Sequence, residues 1–505
     1  MPERIADVFT SVLAAHPNRE ALVTRRGRWS YHELDDASAR AAAILAGLGV
    51  EAGDRVAACL PNEADIIFAF HGAMRIGAIW VGINQALAAP EKAFLLADSE
   101  ASLLVCDAGT ATSLQPHRGA LPGLRTIADD DTWRRAMDAA SPLRDLPPVD
   151  PFAPAGLAYT SGTTGRPKGA IHSQHNLLTP GAVLVQSRGY TEELRKGDCL
   201  PLTILNMVVL TTLLGAQAGG TTVIMDQLYA RGVAEWIERE QVTVWNGPPP
   251  LLHSLAHDDT VAPPALASLR EAWSGGADLP EVLRTRFVEK FGVPVIGTYG
   301  LSEAPTVVSI DPPSGTHVAG ASGRILPHLD VVVMADDGER LPAGHTGEIC
   351  ISATSSGPFA GRYRPPLGYW NRPDASQAAL AGGLLHTGDV GLVDDNGWLH
   401  IRDRKTLVIV RGGANVYPAE VERVLQAIDG VVGSAVTGVA DERLGERVVA
   451  VIELDPDASL GADEIIERCR AELARYKIPE RIVFVDALPR NAMGKVDRRA
   501  VRELV

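Results

Sequence analysis

A chain of 505 residues exceeds what one compact core serves, so at least two domains are expected. Hydrophobic residues make up 46% and charged residues 22%, an ordinary globular mix. The formal net charge of −15 argues against nucleic-acid binding and demands local basic sites for any anionic ligand.

In chain order, the first residues lack the basic and apolar regions of a signal peptide, and a cytoplasmic protein is expected. Residues 35–48 are Ala-rich with apolar helical spacing. Residues 55–60 read as a short buried strand, 65–76 as helix and 78–82 as strand. The apolar stretch 64–89 is interrupted by Asp65, His71 and Arg75, which fits a buried helix followed by a strand better than a membrane span. Strand, helix and strand return at 221–225, 233–240 and 242–245. This alternation predicts layered α/β structure with largely parallel sheets. From about 320 the texture changes to short strands and tight turns, at 330–334, 336–338, 347–351 and 394–397. A small α+β unit follows, with helices at 419–428 and 463–475 and strands at 448–454 and 481–485. The expected organisation is an α/β fold. A large N-terminal domain, 1–402, holds layered α/β subdomains and a β-rich subdomain at about 320–402. A small α+β C-terminal domain spans 403–505. Cys59, Cys106, Cys199, Cys350 and Cys469 are scattered without metal or redox spacing, and their odd number fits reduced thiols.

Five clusters carry chemistry. Residues 159–169 read Tyr-Thr-Ser-Gly-Thr-Thr-Gly-Arg-Pro-Lys-Gly. Glycines let a backbone approach an anion closely, free N–H groups cradle it, and Thr160, Ser161, Thr163 and Thr164 add hydroxyl donors. With Gly162, Gly165 and the charge of Lys168, the physical reading is a polyphosphate loop, although Gly169 after the lysine departs from the usual P-loop. Residues 273–280, with Gly275, Gly276 and Ala277, are small enough for a flat base to lie on backbone. Residues 297–303 include Thr298, Tyr299 as an aromatic face, Gly300 for close approach, Ser302, and Glu303 as a hard oxygen ligand for Mg²⁺. Asp389 can accept two hydrogen bonds from a ribose, and Arg404 can bond ribose or phosphate oxygens. In residues 488–495, Gly494 permits a tight turn that presents Lys495.

Together, in this order over 159–495, these clusters resemble the adenylate-forming superfamily: acyl- and aryl-CoA synthetases, stand-alone adenylation domains and beetle luciferases. The segment 29–34 also looks familial, so the resemblance covers nearly the whole chain. It implies a mobile C-terminal lid and an ATP-dependent acid–CoA ligase with ATP, Mg²⁺ and CoA; passing the acyl group to a carrier-protein thiol or a small nucleophile is the alternative. The loop with Thr163 and Lys168 would grip the β- and γ-phosphates, and residues 274–277 would wall the adenine. Tyr299 would stack near adenine, Ser302 would lie near the α-phosphate, and Glu303 would hold Mg²⁺. Asp389 would bind ribose with support from Arg404. Lys495 would bridge the acyl carboxylate and the α-phosphate. At about 4 Å and an effective dielectric near 20, one such charge pair is worth roughly 4 kcal/mol. That is a ceiling of about three orders of magnitude in rate. Arg411, Gly412, Gly413 and Gly438 look like loops that face CoA.

Ile204, Asn206, Asn246, Gly247, Gly300 and Leu301 are the expected acid pocket, suited to an aryl, alicyclic or medium acyl acid. No Asp lies between 201 and 210 to pair an α-ammonium, which disfavours an amino-acid substrate. The hinge departs from the family pattern, with Thr406 and Leu407 where Lys and Asp are usual. The small acid is the expected partner; no nucleic acid is, and a homodimer is an assembly the sequence allows.

Overall fold

The computed structural model describes residues 2–160, 167–276, 279–412, 414–441, 443–491 and 494–505. Among these, four sheets form, with the α/β layering that the alternating hydrophobic runs predict. The first, six-stranded, runs Thr126–Asp129, Leu103–Cys106, Arg55–Cys59, Ile79–Gly82, Pro154–Thr160, Lys168–Ser173. All neighbours are parallel except the last pair, an antiparallel hairpin with Thr160 opposite Lys168. Central strands such as Leu103–Cys106 are buried at every residue, because helices cover both faces of a parallel sheet.

The second sheet has nine strands, in the order Arg324–Ile325, Thr306–Ile310, Val295–Leu301, Glu271–Gly275, Val244–Asn246, Arg195–Asp198, Thr221–Ile224, Glu20–Thr24, Gly27–Ser30. The four strands from Val295–Leu301 to Arg195–Asp198 are parallel, so their carboxyl ends share one edge. The strand order reverses about Arg195–Asp198, and ligands of such sheets bind outside the carboxyl ends near that reversal.

The helix Tyr31–Gly47 starts four residues before the sequence periodicity suggests. Ser30 caps it: the Glu33 N–H donates to the Ser30 hydroxyl, and the Glu33 carboxylate accepts the Ser30 N–H in return. The apolar stretch at 64–89 resolves into the helix Ala64–Arg75, buried along its whole length, and the strand Ile79–Gly82. Among the described residues no helix is long and apolar enough to cross a membrane. All five cysteines are free and buried.

The third sheet is antiparallel, Leu329–Met334, Gly347–Ala353, Leu385–Val393, Leu399–Arg404. It differs at both ends from the expected 320–402. Arg324–Ile325 pairs instead with Thr306–Ile310 in the nine-stranded sheet. The final strand continues through Asp403 and Arg404, which pair with Val390 and Asp389. The fourth sheet, Ala414–Val416, Ile409–Arg411, Gly445–Leu454, Val431–Asp441, with Arg481–Val485 beside Gly445–Leu454, carries its own apolar core around Val421, Leu425, Val448 and Ile465.

Candidate active site

The shared edge of the nine-stranded sheet holds the second and third clusters side by side. Gly275 pairs with Thr298, and a side chain at 275 would lie 2.1 Å from the Thr298 hydroxyl and 2.7 Å from its carbonyl oxygen, so only glycine fits. The Thr298 hydroxyl donates to the Ser274 carbonyl at 3.2 Å. A bulge between Tyr299 and Gly300 then re-aims the strand. Tyr299 turns its hydroxyl into a 2.5 Å bond with Asp389 of the third sheet. Burial, then the nearby Asp389 charge, holds the Tyr299 pKa well above the ordinary phenol value, so the hydroxyl stays a donor.

Asp389 is only 4% exposed, and Arg404 from the paired strand places Nε 2.7 Å from its other carboxylate oxygen. Burial raises the Asp389 pKa while Arg404 and the Tyr299 hydroxyl oppose the rise. Lys495 arrives at the same place from the far end of the chain. The Arg490–Val496 bridge and the Asn491 N–H, donated to the Lys495 carbonyl at 2.8 Å, close a tight turn. Gly494 sits in it at φ +75°, a conformation that favours glycine. A Cβ at Gly276 would lie 3.4 Å from Lys495 Cε and Nζ, so the tail lysine rests over the small-residue wall. Lys495 keeps exposed surface beside these residues. Partial burial, then Arg404, lowers its pKa, and Asp389 opposes the change.

Glu303 accepts a 2.8 Å hydrogen bond from Tyr369, a residue the sequence motifs do not single out. Residues 367–370 lie along the hairpin strand Lys168–Ser173: Ile171 N–H donates to Gly368, and Trp370 N–H to Gly169. The Tyr369 ring lies 5.7 Å below the Lys168 ammonium, so one tyrosine touches both the loop lysine and the acidic residue. His172, on the same strand face as Lys168 by the two-residue period, places Nε2 2.7 Å from the Ser302 carbonyl. Burial pulls its pKa down to about 4, so the ring is neutral and Nε2–H donates. That bond fixes the backbone just before Glu303. The second Glu303 oxygen has no partner among the described residues, and a half-buried carboxylate with one oxygen oriented and one free suits a hard cation such as Mg²⁺. The Glu303 charge also raises the Asp389 pKa, after burial as the main cause.

Ser161, Gly162, Thr163, Thr164, Gly165, Ala277 and Gly413 lie outside the described residues. Of the expected pocket, Ile204 and Asn206 flank the start of a helix that widens to π geometry at Val209–Leu213. Gly247 is required, since a side chain there would lie 2.2 Å from the Trp245 ring. The Asn246 amide N–H donates to Asp198 at 2.5 Å. Asp198, fully buried, also accepts from the Thr211 hydroxyl and the Leu200 N–H, both at 2.9 Å. Lys196, equally buried, lies 3.9 Å away and 5.3 Å over the Trp273 ring. Burial raises the Asp198 pKa and lowers that of Lys196 to about 8. Asp198 thus ties the π-widened helix to the Asn246 strand beneath the pocket. Arg411, expected to face CoA, is committed to Glu480 and to the Tyr476 carbonyl at 2.7 Å. Gly412 turns at φ +59°, and Gly438 packs against Glu446, where a Cβ would lie 2.4 Å from a carboxylate oxygen.

Comparison with known proteins identifies the family. The family described as AMP-binding enzyme matches residues 9–358, and its AMP-binding enzyme C-terminal domain matches 420–495. A long-chain-fatty-acid–CoA ligase of Mycobacterium tuberculosis is 34% identical over 490 residues, 94% of this chain and 93% of that protein. An indoleacetate–CoA ligase of Aromatoleum aromaticum is 33% identical over 500 residues, 97% and 96% of the two chains. Among solved structures, an anthranilate CoA ligase in complex with anthranoyl-AMP superposes with a TM-score of 0.92 at 25% identity, covering 100% of this chain and 98% of that one. The chain belongs to the AMP-binding enzyme family, within the adenylate-forming superfamily.

Proposed function

We propose that this protein is an acid–CoA ligase: it activates a carboxylic acid with ATP and passes the acyl group to the thiol of CoA. The observation that carries this reading is the meeting of the tail lysine, Lys495, with Gly276 and the Tyr299–Asp389–Arg404 cluster in one cleft. Residues 1–402 act as the nucleotide-binding domain and 403–505 as the lid that brings Lys495.

The acid is already ionised near neutral pH, so the barrier is the approach of one anion to another. Lys495 offsets charge between the carboxylate and the α-phosphate. Lys168 and the loop hydroxyls of 160–165 hold the outer phosphates. Asp389 and Arg404 hold the ribose, and the small residues 274–277 and Tyr299 flank the adenine. Glu303, oriented by Tyr369, would hold Mg²⁺, which supplies further neutralisation of phosphate charge when bound. The carboxylate oxygen bonds to the α-phosphorus as the bond to the bridging oxygen breaks, and pyrophosphate leaves. The CoA sulfur, its proton lost, then bonds to the acyl carbon, and the carbon–oxygen bond to AMP breaks.

The named relatives act on fatty, indoleacetic and anthranilic acids. The apolar residues between Ile204 and Leu210 support an aryl, alicyclic or medium acyl acid here. A carboxylic-acid panel read by pyrophosphate release, with and without CoA, tests the proposal. One acid class should give AMP and a thioester with CoA. Pyrophosphate exchange with no thioester would assign another acceptor, and no exchange with any acid would refute adenylation.

A further inference from the structure

A second cluster of chemistry lies on the third sheet, behind Asp389. Cys350 and His386 are directly opposite in the antiparallel ladder, and Glu348, two residues before Cys350, shares its face. Cys350 Sγ lies 3.4 Å from His386 Nδ1, and His386 Nδ1 lies 3.5 Å from Glu348 Oε2. One ligand atom from each lies within 4.8 Å of the others. Zinc bonds of about 2.3 Å to sulfur and about 2.0–2.1 Å to nitrogen or oxygen span tetrahedral edges of roughly 3.3–3.6 Å. The two edges that meet at His386 Nδ1 fall in that range, and the third lies within 4.8 Å. The donors are one thiol, one imidazole and one carboxylate, a set suited to a borderline-soft ion rather than to Mg²⁺. The Gly388 N–H, at 3.3 Å, orients the Glu348 carboxylate.

We propose that Glu348, Cys350 and His386 form a regulatory site for a divalent ion of the zinc class, three protein ligands with one position left for water. On binding, the Cys350 S–H proton goes to solvent and a sulfur–metal bond forms, with no change in oxidation state. The site is coupled to the cleft through Lys405. Its ammonium lies 3.5 Å from Glu348 and 2.8 Å from Asp336. It directly follows Arg404, which holds Asp389, and its N–H donates to the Gly388 carbonyl at 2.8 Å. A metal claims Glu348 and leaves Lys405 to the exposed Asp336, disturbing the turn that sets Arg404. The ion is therefore inhibitory.

The test uses the full chain, stripped of metal and titrated with Co²⁺ alone. A thiolate-to-cobalt absorption band should saturate at one ion per chain. Cys350→Ser should remove the band. His386→Gln should weaken binding at least about tenfold, the lower range for loss of a mere outer-sphere partner. With Mg²⁺ in excess, Zn²⁺ should inhibit pyrophosphate formation by the unmodified chain and spare Cys350→Ser. Absence of the band, or a band unaltered in both variants, overturns the site. Equal zinc inhibition of the unmodified chain and Cys350→Ser overturns its coupling to the cleft.

Discussion

Two lysines show how differently one physical effect is used. Lys196 in the nine-stranded sheet and Lys495 on the tail turn both have pKa values lowered chiefly by burial. Lys196 has no exposed surface, and its charge is answered by Asp198 and the Trp273 ring. It holds strands together and reaches no ligand. Lys495 has exposed surface and lies over Gly276, on a turn closed by the Asn491 N–H to the Lys495 carbonyl and the Gly494 N–H to the Asn491 carbonyl, beside Arg404, another cation. Among the described residues it forms no ion pair, and Asp389 only partly offsets the lowering, which leaves it available to an anionic ligand. The lesson is that a depressed lysine marks a reactive site only where exposed surface lets an anionic ligand reach it.

The comparison breaks most sharply at the tail. Lys495→Ala should lower the adenylation rate by up to about three orders of magnitude, the ceiling of one charge pair of roughly 4 kcal/mol, while ATP affinity changes little. Single-turnover pyrophosphate release and equilibrium nucleotide binding separate the two, and equal losses in both would contradict the role. Asp198→Ala should act on stability instead. It strands the buried Lys196 charge and frees Thr211 and Asn246, at a cost of about 3–5 kcal/mol in denaturant unfolding. Marginal destabilisation there would mean the network is already hydrated.

Smaller effects sharpen the picture. Tyr369→Phe removes one hydrogen bond to a charged carboxylate, about 1.5–3 kcal/mol, while keeping the ring under Lys168. Mn²⁺ binding followed by magnetic resonance in the presence of ATP should weaken roughly tenfold or more. The smallest effect is a pH slope. Burial pushes the Asp403 pKa up to about 6; the Ala419 and Arg404 N–H groups and Arg498 oppose this, and Glu422 adds to it. The folded chain therefore binds more protons than the unfolded one between about pH 4 and 6. Stability contributed by this group is present below that window and lost as pH rises through about 6. Asp403→Asn should flatten this slope in unfolding measured from pH 4 to 8.

Much of the cleft was legible because its chemistry is local. Glycines beside hydroxyls, a glycine one residue before Lys495, and Tyr-Gly-Leu-Ser-Glu at 299–303 each state a requirement within a few residues. Tyr369 escaped because its meaning comes from a partner 66 residues earlier and from strand pairing with 169–171. His172 carried a usable signal, the same strand face as Lys168, that the motif reading did not take up. The bond from Asn246 to Asp198 also escaped, since nothing in its own segment reveals a partner 48 residues away.

Residue order alone therefore determined the alternation of strands and helices, the change of texture near 320 and the kinds of group available for phosphate and cation binding. These follow from hydrophobic periodicity and from what each side chain can donate or accept. Only the tertiary structure decided which of those groups meet. It brought Lys495 onto Gly276, shared Asp389 between Tyr299 and Arg404, and turned Asn246 inward. Such meetings depend on register and on the satisfaction of buried polar atoms across distant segments, and no local pattern encodes them.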